Sequence, residues 1–237
     1  MPASIDDTAP ALWCIVPAAG RGARFGGGMP KQYLPLAGKP LLLHALERLA
    51  AHPRIAGLMV ALAPGDPHWP GVFALNGKPV LTCEGGGERA DSVLAGLRAL
   101  AEKVEEDNFI LVHDAARPCV READISRLIE LGVVAGGALL AAPLRDTLKR
   151  ADADGRCVAT EPREARWRAL TPQLFRCGEL TGAIESARAA GIAVTDEAMA
   201  MERAGFKPLL VEGVESNIKV TTPADMMLAE FLLGREC

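Results

Sequence analysis

Short apolar runs alternate with helical segments along this chain, and that alternation constrains the fold more than any other feature. Ala11–Ala18 (ALWCIVPA) reads as a buried strand, followed by a glycine-rich stretch, Ala19–Gly28 (AGRGARFGGG). Leu41–Ala51 carries Leu42, Leu46 and Leu49 on one helical face. Ala56–Ala63 is a second strand, Ala90–Ala101 a helix, and Phe109–Val112 a strand ending at His113-Asp114. Asp124–Leu131 is helical and Gly137–Ala142 is another strand. Such alternation implies a mostly parallel sheet with helices on both faces, a Rossmann-like α/β fold. Ligands of these sheets bind at the carboxyl ends of the strands. The unusual residues of this chain lie there: Ala18–Arg24 after the first strand and Asp114–Arg117 after a later one.

Composition removes several classes. Hydrophobic residues make up 49% of 237, enough for a sizeable core and too many for a disordered chain. A net charge of -4 argues against a general nucleic-acid binder, which carries a basic excess. Cys14, Cys83, Cys119, Cys157, Cys177 and Cys237 are scattered without a C-x-x-C pair. Reduced thiols are expected, rather than a disulfide framework or a zinc site. No apolar run is long enough to span a membrane. Residues 1–10 hold Asp6 and Asp7 and no basic residue, unlike a signal or transit peptide, so they are expected to form a flexible tail. The reading is a cytoplasmic protein with one domain over 11–237 and no linker or internal repeat.

One segment departs from the alternation. Within Leu144–Arg168, Asp146–Lys149, a DADG turn at Asp152–Gly155 and Cys157–Thr160 read as a β-hairpin. A hairpin leaving an α/β domain needs a cover, and a second copy of the chain is the economical one. A homodimer through this arm is therefore expected; the alternative is a hairpin folded back on its own domain.

The most informative stretch is Pro17-Ala-Ala-Gly-Arg-Gly-Ala-Arg24. Its small residues (Ala18, Ala19, Gly20, Gly22) let the backbone approach a polyphosphate, with successive N–H groups able to face phosphate oxygens. Arg24 and Lys31 add fixed cations. A dinucleotide loop wants G-x-G-x-x-G, but Phe25 stands where the third glycine would fall. A Walker loop is excluded too, since Gly38-Lys39-Pro40 lacks both spacing and hydroxyl.

With Pro30-Lys31-Gln32-Tyr33 following, this loop resembles that of the sugar-nucleotide pyrophosphorylase type of nucleotidyltransferase. The K-Q-Y form is similar to the narrower family of 2-C-methyl-D-erythritol 4-phosphate cytidylyltransferases. Further stretches match that family in order. They are Gly85-Gly-Gly-Glu-Arg-Ala-Asp-Ser-Val93, His113-Asp-Ala-Ala-Arg-Pro118, Arg145–Lys149, Arg163 with Trp167–Phe175, Thr195–Ala198 and Asn217–Thr221. Read alone, several are bland: a helix N-terminus at Gly85–Val93, a strand hydroxyl at Thr147, a solvated charge at Arg163. Thr195 can cap a helix, and Lys219 would lie on a strand opposite Ile218 and Val220.

The resemblance implies a single nucleotidyltransferase domain with a protruding hairpin arm at about 144–168. It implies transfer of CMP from CTP to a phosphorylated polyol, with magnesium or another divalent cation held mainly by the CTP phosphates. Arg24 and Lys31 would stabilise charge on the reacting phosphate, while Arg163 and Lys219 would position the attacking one. Pro17, Ala18, Ala19, Gly20, Gly22, Gly86 and Ser92 would contact the nucleotide. Asp114, Ala115, Arg117, Thr147, Thr171 and Thr195 would line the acceptor site, some across the dimer interface. Many relatives carry Asp or another polar residue where Gly87 stands. The competing readings are a ribitol 5-phosphate cytidylyltransferase and a CTP-binding module without turnover.

Overall fold

The computed structural model describes residues 12–20 and 28–235. Gly22, Arg24, Cys237 and the 1–10 tail, all singled out above, lie outside the described residues. The elements run β1 (Leu12–Pro17), a 3-10 turn (Lys31–Tyr33), β2 (Pro35–Leu36), β3 (Lys39–Pro40), α1 (Leu41–Ala51), β4 (Ile55–Leu62), β5 (Ala74–Leu75) and β6 (Lys78–Glu84). Then come α2 (Arg89–Ala99), β7 (Phe109–Val112), α3 (Glu122–Ala135), β8 (Ala138–Pro143), β9 (Leu148–Ala151), β10 (Cys157–Glu161) and β11 (Trp167–Arg176). The chain closes with α4 (Cys177–Ala189), α5 (Glu197–Arg203), β12 (Leu209–Glu212) and α6 (Pro223–Gly234).

An eight-stranded sheet in the order β12-β8-β11-β7-β1-β4-β6-β5 forms the centre. Strands β7, β1, β4 and β6 run parallel, β12 runs parallel to β8, and β11 is antiparallel to both neighbours. Residues alternate across the pleat, so a strand covered on both faces must be apolar throughout. Cys14 and Val16 of β1 pack with Leu42, Leu46 and Leu49 of α1 and Leu128 of α3. Ile15, between them, packs on the opposite face with Val93 and Leu97 of α2 and Leu180 of α4. Leu111 of β7 joins the first layer, while Ile110 and Val112 join the second. This two-sided burial is the α/β architecture expected from the alternating pattern.

Helix α2 lies unusually close to β1. A Cβ at Gly96 would come within 2.8 Å of Ile15 Cγ2, so only glycine lets the helix approach this far. That approach sets the start of α2 beside the end of β1, where the site forms.

The arm is a hairpin, as expected. β9 and β10 form their own two-stranded antiparallel sheet. Asp152 closes its turn, with its side chain accepting from the N–H groups of Asp154 (3.0 Å) and Arg156 (2.8 Å). Two local expectations need correction. Asn217–Val220 is not a strand; it is an extended segment tied down by Val220 N–H donating to Ala116 O at 2.8 Å. The N-cap of α5 is Asp196, whose carboxylate accepts from Met199 N–H at 2.9 Å, and not Thr195. A carboxylate one residue nearer the helix reaches that donor with better geometry and adds favourable charge at the N-terminus. No helix among the described residues is long and apolar enough to cross a membrane.

Gly96→Val should push α2 off β1. Overpacking of this kind costs about 1–3 kcal/mol, which a urea titration reads as a lower midpoint with unchanged slope.

Candidate active site

The cleft across the ends of β1, β6 and β7 is built from three loops. The first leaves β1. Ala18 N–H donates to Ala61 O at 2.8 Å, which extends the β1–β4 pairing by one residue. Gln32, buried in the 3-10 turn, then donates through Nε2 to Ala18 O (2.7 Å) and Gly20 O (2.9 Å). One amide thus engages two loop carbonyls. Lys31, next to it, donates to Val220 O at 2.9 Å and so links the first loop to the chain's last extended segment.

The second loop is Gly85–Glu88. Gly85 N–H donates to Leu62 O at 2.7 Å. A Cβ at Gly85 would fall 2.7 Å from Ala19 Cβ, and one at Gly86 would fall 2.2 Å from Asp91 Cβ. Neither position admits a side chain without movement. At Gly87 nothing stands within 4 Å of an added Cβ, so a side chain there finds open space. Ser92 Oγ accepts from Gly86 N–H (3.2 Å) and donates to Glu88 O (3.2 Å), while Asp91 accepts from Glu88 N–H. Ser92 therefore shapes this loop as well as lining the cleft.

The third loop follows β7 and carries Asp114. Its carboxylate meets Arg89 Nε at 2.9 Å, Lys219 Nζ at 2.8 Å and Arg117 Nε at 3.5 Å, the last a charge contact beyond hydrogen-bond alignment. Burial alone would raise the Asp114 pKa; the charges of Arg89, Lys219 and Arg117 overcome it and hold the carboxyl well below the usual carboxylate range. Beneath lies a chain of buried hydrogen bonds. Asp114 N–H donates to Thr171 Oγ1, Thr171 Oγ1 pairs with His113 Nδ1, and His113 Nε2 pairs with Arg117 O, each at 3.0 Å. A carbonyl can only accept, so Nε2 carries the proton and Nδ1 accepts from the threonine hydroxyl. Burial lowers the His113 pKa to about 4.

These loops enclose a cavity of about 360 Å³. The expected residues Pro17, Ala18, Ala19, Gly20, Lys31, Gly86, Ser92, Asp114, Ala115 and Lys219 all line it. Arg117 and Thr171 lie behind its wall: Arg117 donates to Asn217 O (2.7 Å) and Ala169 O (3.4 Å), and Thr171 O accepts from Asn217 Nδ2 (2.8 Å). Thr195 is exposed and outside it. Thr147 and Arg163 are also outside, on the arm, where they line a separate open groove; Arg163 donates to Arg145 O. Gln32, Arg89 and Glu197 were not singled out from sequence. Gln32 and Arg89 stand inside the quoted K-Q-Y and G-G-x-x-R stretches, so the signal was present for both. Glu197 likewise stands inside the quoted Thr195–Ala198 stretch, where the sequence gives it only a place in a helix's first turn.

A mostly parallel sheet with a cationic, glycine-lined cleft over its strand ends is the arrangement in which α/β proteins bind phosphorylated ligands. The family model "IspD: 2-C-methyl-D-erythritol 4-phosphate cytidylyltransferase" matches residues 12–235. A 2-C-methyl-D-erythritol 4-phosphate cytidylyltransferase of Xanthomonas axonopodis pv. citri is 62% identical over 95% of this chain and 86% of its own length. That of Stenotrophomonas maltophilia is also 62% identical, over 95% of this chain and 97% of its own. The crystal structure of the Francisella tularensis enzyme superposes with a TM-score of 0.80 at 33% identity, covering 93% of this chain and 99% of that one. The chain belongs to the 2-C-methyl-D-erythritol 4-phosphate cytidylyltransferase family.

Two expectations follow from this geometry. Gly86→Ala should weaken CTP binding by about tenfold or more, because the loop must move off Asp91, while Gly87→Asp leaves binding and melting temperature near the parent's; isothermal titration with CTP separates the two. The second concerns pH. Above pH 6.5 His113 is neutral whether folded or not; between 6.5 and about 4 only the unfolded chain takes up the proton. Stability therefore falls as pH drops through that window, by about 2 kcal/mol at pH 5 from this residue. His52, lowered to about 4 by burial, adds in the same direction. Denaturant unfolding at pH 7 and pH 5 should show the loss, and His113→Gln should shrink it.

Proposed function

We propose that this chain transfers the cytidylyl group of CTP to 2-C-methyl-D-erythritol 4-phosphate, releasing pyrophosphate, in isoprenoid precursor synthesis. The observation that carries the reading is the convergence of Lys31, Lys219 and the ionised Asp114 on one cavity between two glycine loops. Membership of the cytidylyltransferase family supports the choice of substrates.

The nucleophile in this reading is a phosphate oxygen of the acceptor, which attacks the α-phosphorus while pyrophosphate leaves. A phosphate dianion needs no strong general base. His113, next to Asp114 in sequence, has both nitrogens engaged in hydrogen bonds and is not required as one. The barrier is electrostatic: two anions meet, and charge grows on the α-phosphate and the leaving group. Fixed cations that act at the reacting atoms therefore carry the catalysis. Lys31 stabilises the α-phosphate, with Arg24 of the same loop. Lys219 turns from Asp114 to the acceptor phosphate, and Asp114 then accepts from the polyol hydroxyls. Arg117 and Thr171 hold the floor on which Asp114 stands.

Thr147 and Arg163 enter this scheme from the arm of a second copy. Their distance from their own chain's cavity and the exposure of both strands of the hairpin support a homodimer. Magnesium, in the same reading, arrives with the nucleotide. Among the described residues no three His, Cys, Asp or Glu side chains come together to cage a metal. Asp114 is already engaged by Arg89 and Lys219. An ion held by triphosphate oxygens would neutralise part of their charge. Phosphorylated substrates and the free thiols of Cys14, Cys83, Cys157 and Cys177 support a cytoplasmic location.

Pyrophosphate release with magnesium and CTP should occur with methylerythritol phosphate and not with ribitol 5-phosphate. Release with ribitol phosphate alone would reassign the acceptor, and silence with both, despite CTP binding, would leave a binding module. Lys31→Ala should lower kcat by about a hundredfold, so near-normal turnover sinks its role. Lys219→Ala should mainly raise the KM of the acceptor, and an unchanged KM removes its positioning role.

A further inference from the structure

The guanidinium of Arg89 joins two buried carboxylates from distant parts of the chain. Arg89 is the first residue of α2, and its side chain runs along the cavity wall. Its Nη1 and Nη2 donate to the two oxygens of Glu197 at 2.5 and 3.0 Å, and its Nε donates to Asp114 Oδ1 at 2.9 Å. The Glu197 side chain is 1% exposed. A carboxylate buried that far persists only where a fixed cation meets it.

Glu197 is itself held in place before Arg89 reaches it. It is the first residue of α5, whose start is docked on β11 by Gln173. Gln173 Nε2 donates to Asp196 Oδ2 at 3.0 Å, and its Oε1 accepts from Ala198 N–H at 2.8 Å. The residues on either side of Glu197 are thus pinned by one buried amide. A guanidinium gripped at both Nη atoms cannot rotate about its long axis, so the direction of its Nε–H is set by Glu197. That direction is toward Asp114 Oδ1, which leaves Oδ2 to Lys219 at 2.8 Å.

The charges give this bridge a purpose. The cavity is to receive a triphosphate and a phosphate monoester. An uncompensated arginine in its wall would swing toward those phosphates and abandon Asp114. Lys219 leaves Asp114 when the acceptor phosphate arrives, so Arg89 is the well-aligned cation that remains on the carboxylate.

We propose that Glu197 is a positioning residue for the acceptor: through Arg89 it fixes the orientation of Asp114 and keeps Arg89 off the substrate phosphates. The inference rests on the cytidylyltransferase reading above. Glu197 touches no substrate and lines no part of the cavity; its effect passes entirely through the guanidinium. Loss of the bridge therefore has a signature that loss of fold lacks. Acceptor binding suffers, while the nucleotide loops, held by Gln32 and Ser92, keep their hold on CTP.

The test is steady-state pyrophosphate release by the full chain, with each substrate varied in turn. Glu197→Gln keeps the shape and removes the charge. It should raise the KM for methylerythritol phosphate by about tenfold or more and the KM for CTP by less than about threefold. Arg89→Lys keeps a charge that cannot grip two carboxylates, and it should give the same split; it carries the test should Glu197→Gln fail to fold. The double variant should be no worse than the weaker single, since both break one link. Parallel rises in both KM values, additive losses, or an unchanged acceptor KM in either folded variant would overturn the proposal. A parent enzyme that releases no pyrophosphate with this acceptor would sink the cytidylyltransferase reading itself; failure of the variants beside an active parent sinks only the role of Glu197.

Discussion

The ionised carboxylate of Asp114 is the constraint around which the site is arranged. It is almost wholly buried, and a buried charge costs several kcal/mol unless its partners are close and fixed. Those partners come from three separate parts of the chain: Arg89 at the start of α2, Arg117 in the turn after β7, and Lys219 in the segment before α6. Each partner is tied in turn. Arg117 is anchored to Asn217 O, which holds the Lys219 segment, and Asn217 reaches Thr171 O on β11. The end of β7, the start of α2 and the C-terminal segment therefore converge because one carboxylate must be neutralised. The cavity is the space left between them.

The same arrangement reconciles a chain of net charge -4 with a pocket for anions. What counts is the local balance. Lys31, Arg89 and Lys219 line the cavity, and Asp114 and Glu197 offset part of their charge. Arg89 is held strongly protonated: burial works against its charge, and Glu197 and then Asp114 outweigh that effect. Opposing charges of this kind fix side chains in place before substrate arrives. Preorganised charge stabilises a transition state more than mobile charge does, because nothing has to reorient as the reaction proceeds. The acidic residues of the site are in this sense part of its cationic machinery.

Much of the fold is legible in the sequence, and each part that is not has a physical reason. The two-sided strands β1, β4, β7 and β8 were visible because burial on both faces demands unbroken apolar runs. β6 gives little strand signal: it opens with Lys78-Pro79 and buries only Val80. β11 gives little as well, since Pro172 interrupts it and its pairing with β8 shifts between Ala169 and Gln173. Helix α4, whose apolar positions are spaced by Gly, Ser and Thr, gives a weak periodic signal. Within the site, the small residues and cations of the first glycine loop carry a signal of their own, whereas the Gly85–Val93 loop and Asp114 gain a role only through the family resemblance. Gln32 and Arg89 lie in view without a role, because their contacts, Gln32 with a loop carbonyl and Arg89 with the distant Glu197, are made only in the folded chain. The expected strand at Asn217–Val220 failed for a similar reason: alternation was read correctly, but the partner is one backbone carbonyl at Ala116 rather than a neighbouring strand.

The arm shows how an exposed element can still be coupled to the buried centre. Arg145 and Arg168, one at each end of the hairpin segment, both pair with Glu215. Glu215 lies two residues before Asn217, whose carbonyl receives Arg117 and whose side chain holds Thr171. The base of the arm is thus joined, through one short segment, to the residues that position Asp114 and Lys219. Surface ion pairs of this kind are individually weak. Their place matters more than their strength, because the segment they grip is short and its other end is fixed in the core. In the proposed dimer, docking of the arm onto a second copy would bear on Glu215 and hence on the segment that presents Lys219. Each site would then depend on a partner twice: for Thr147 and Arg163 supplied from outside, and for the set of its own Lys219 segment from within.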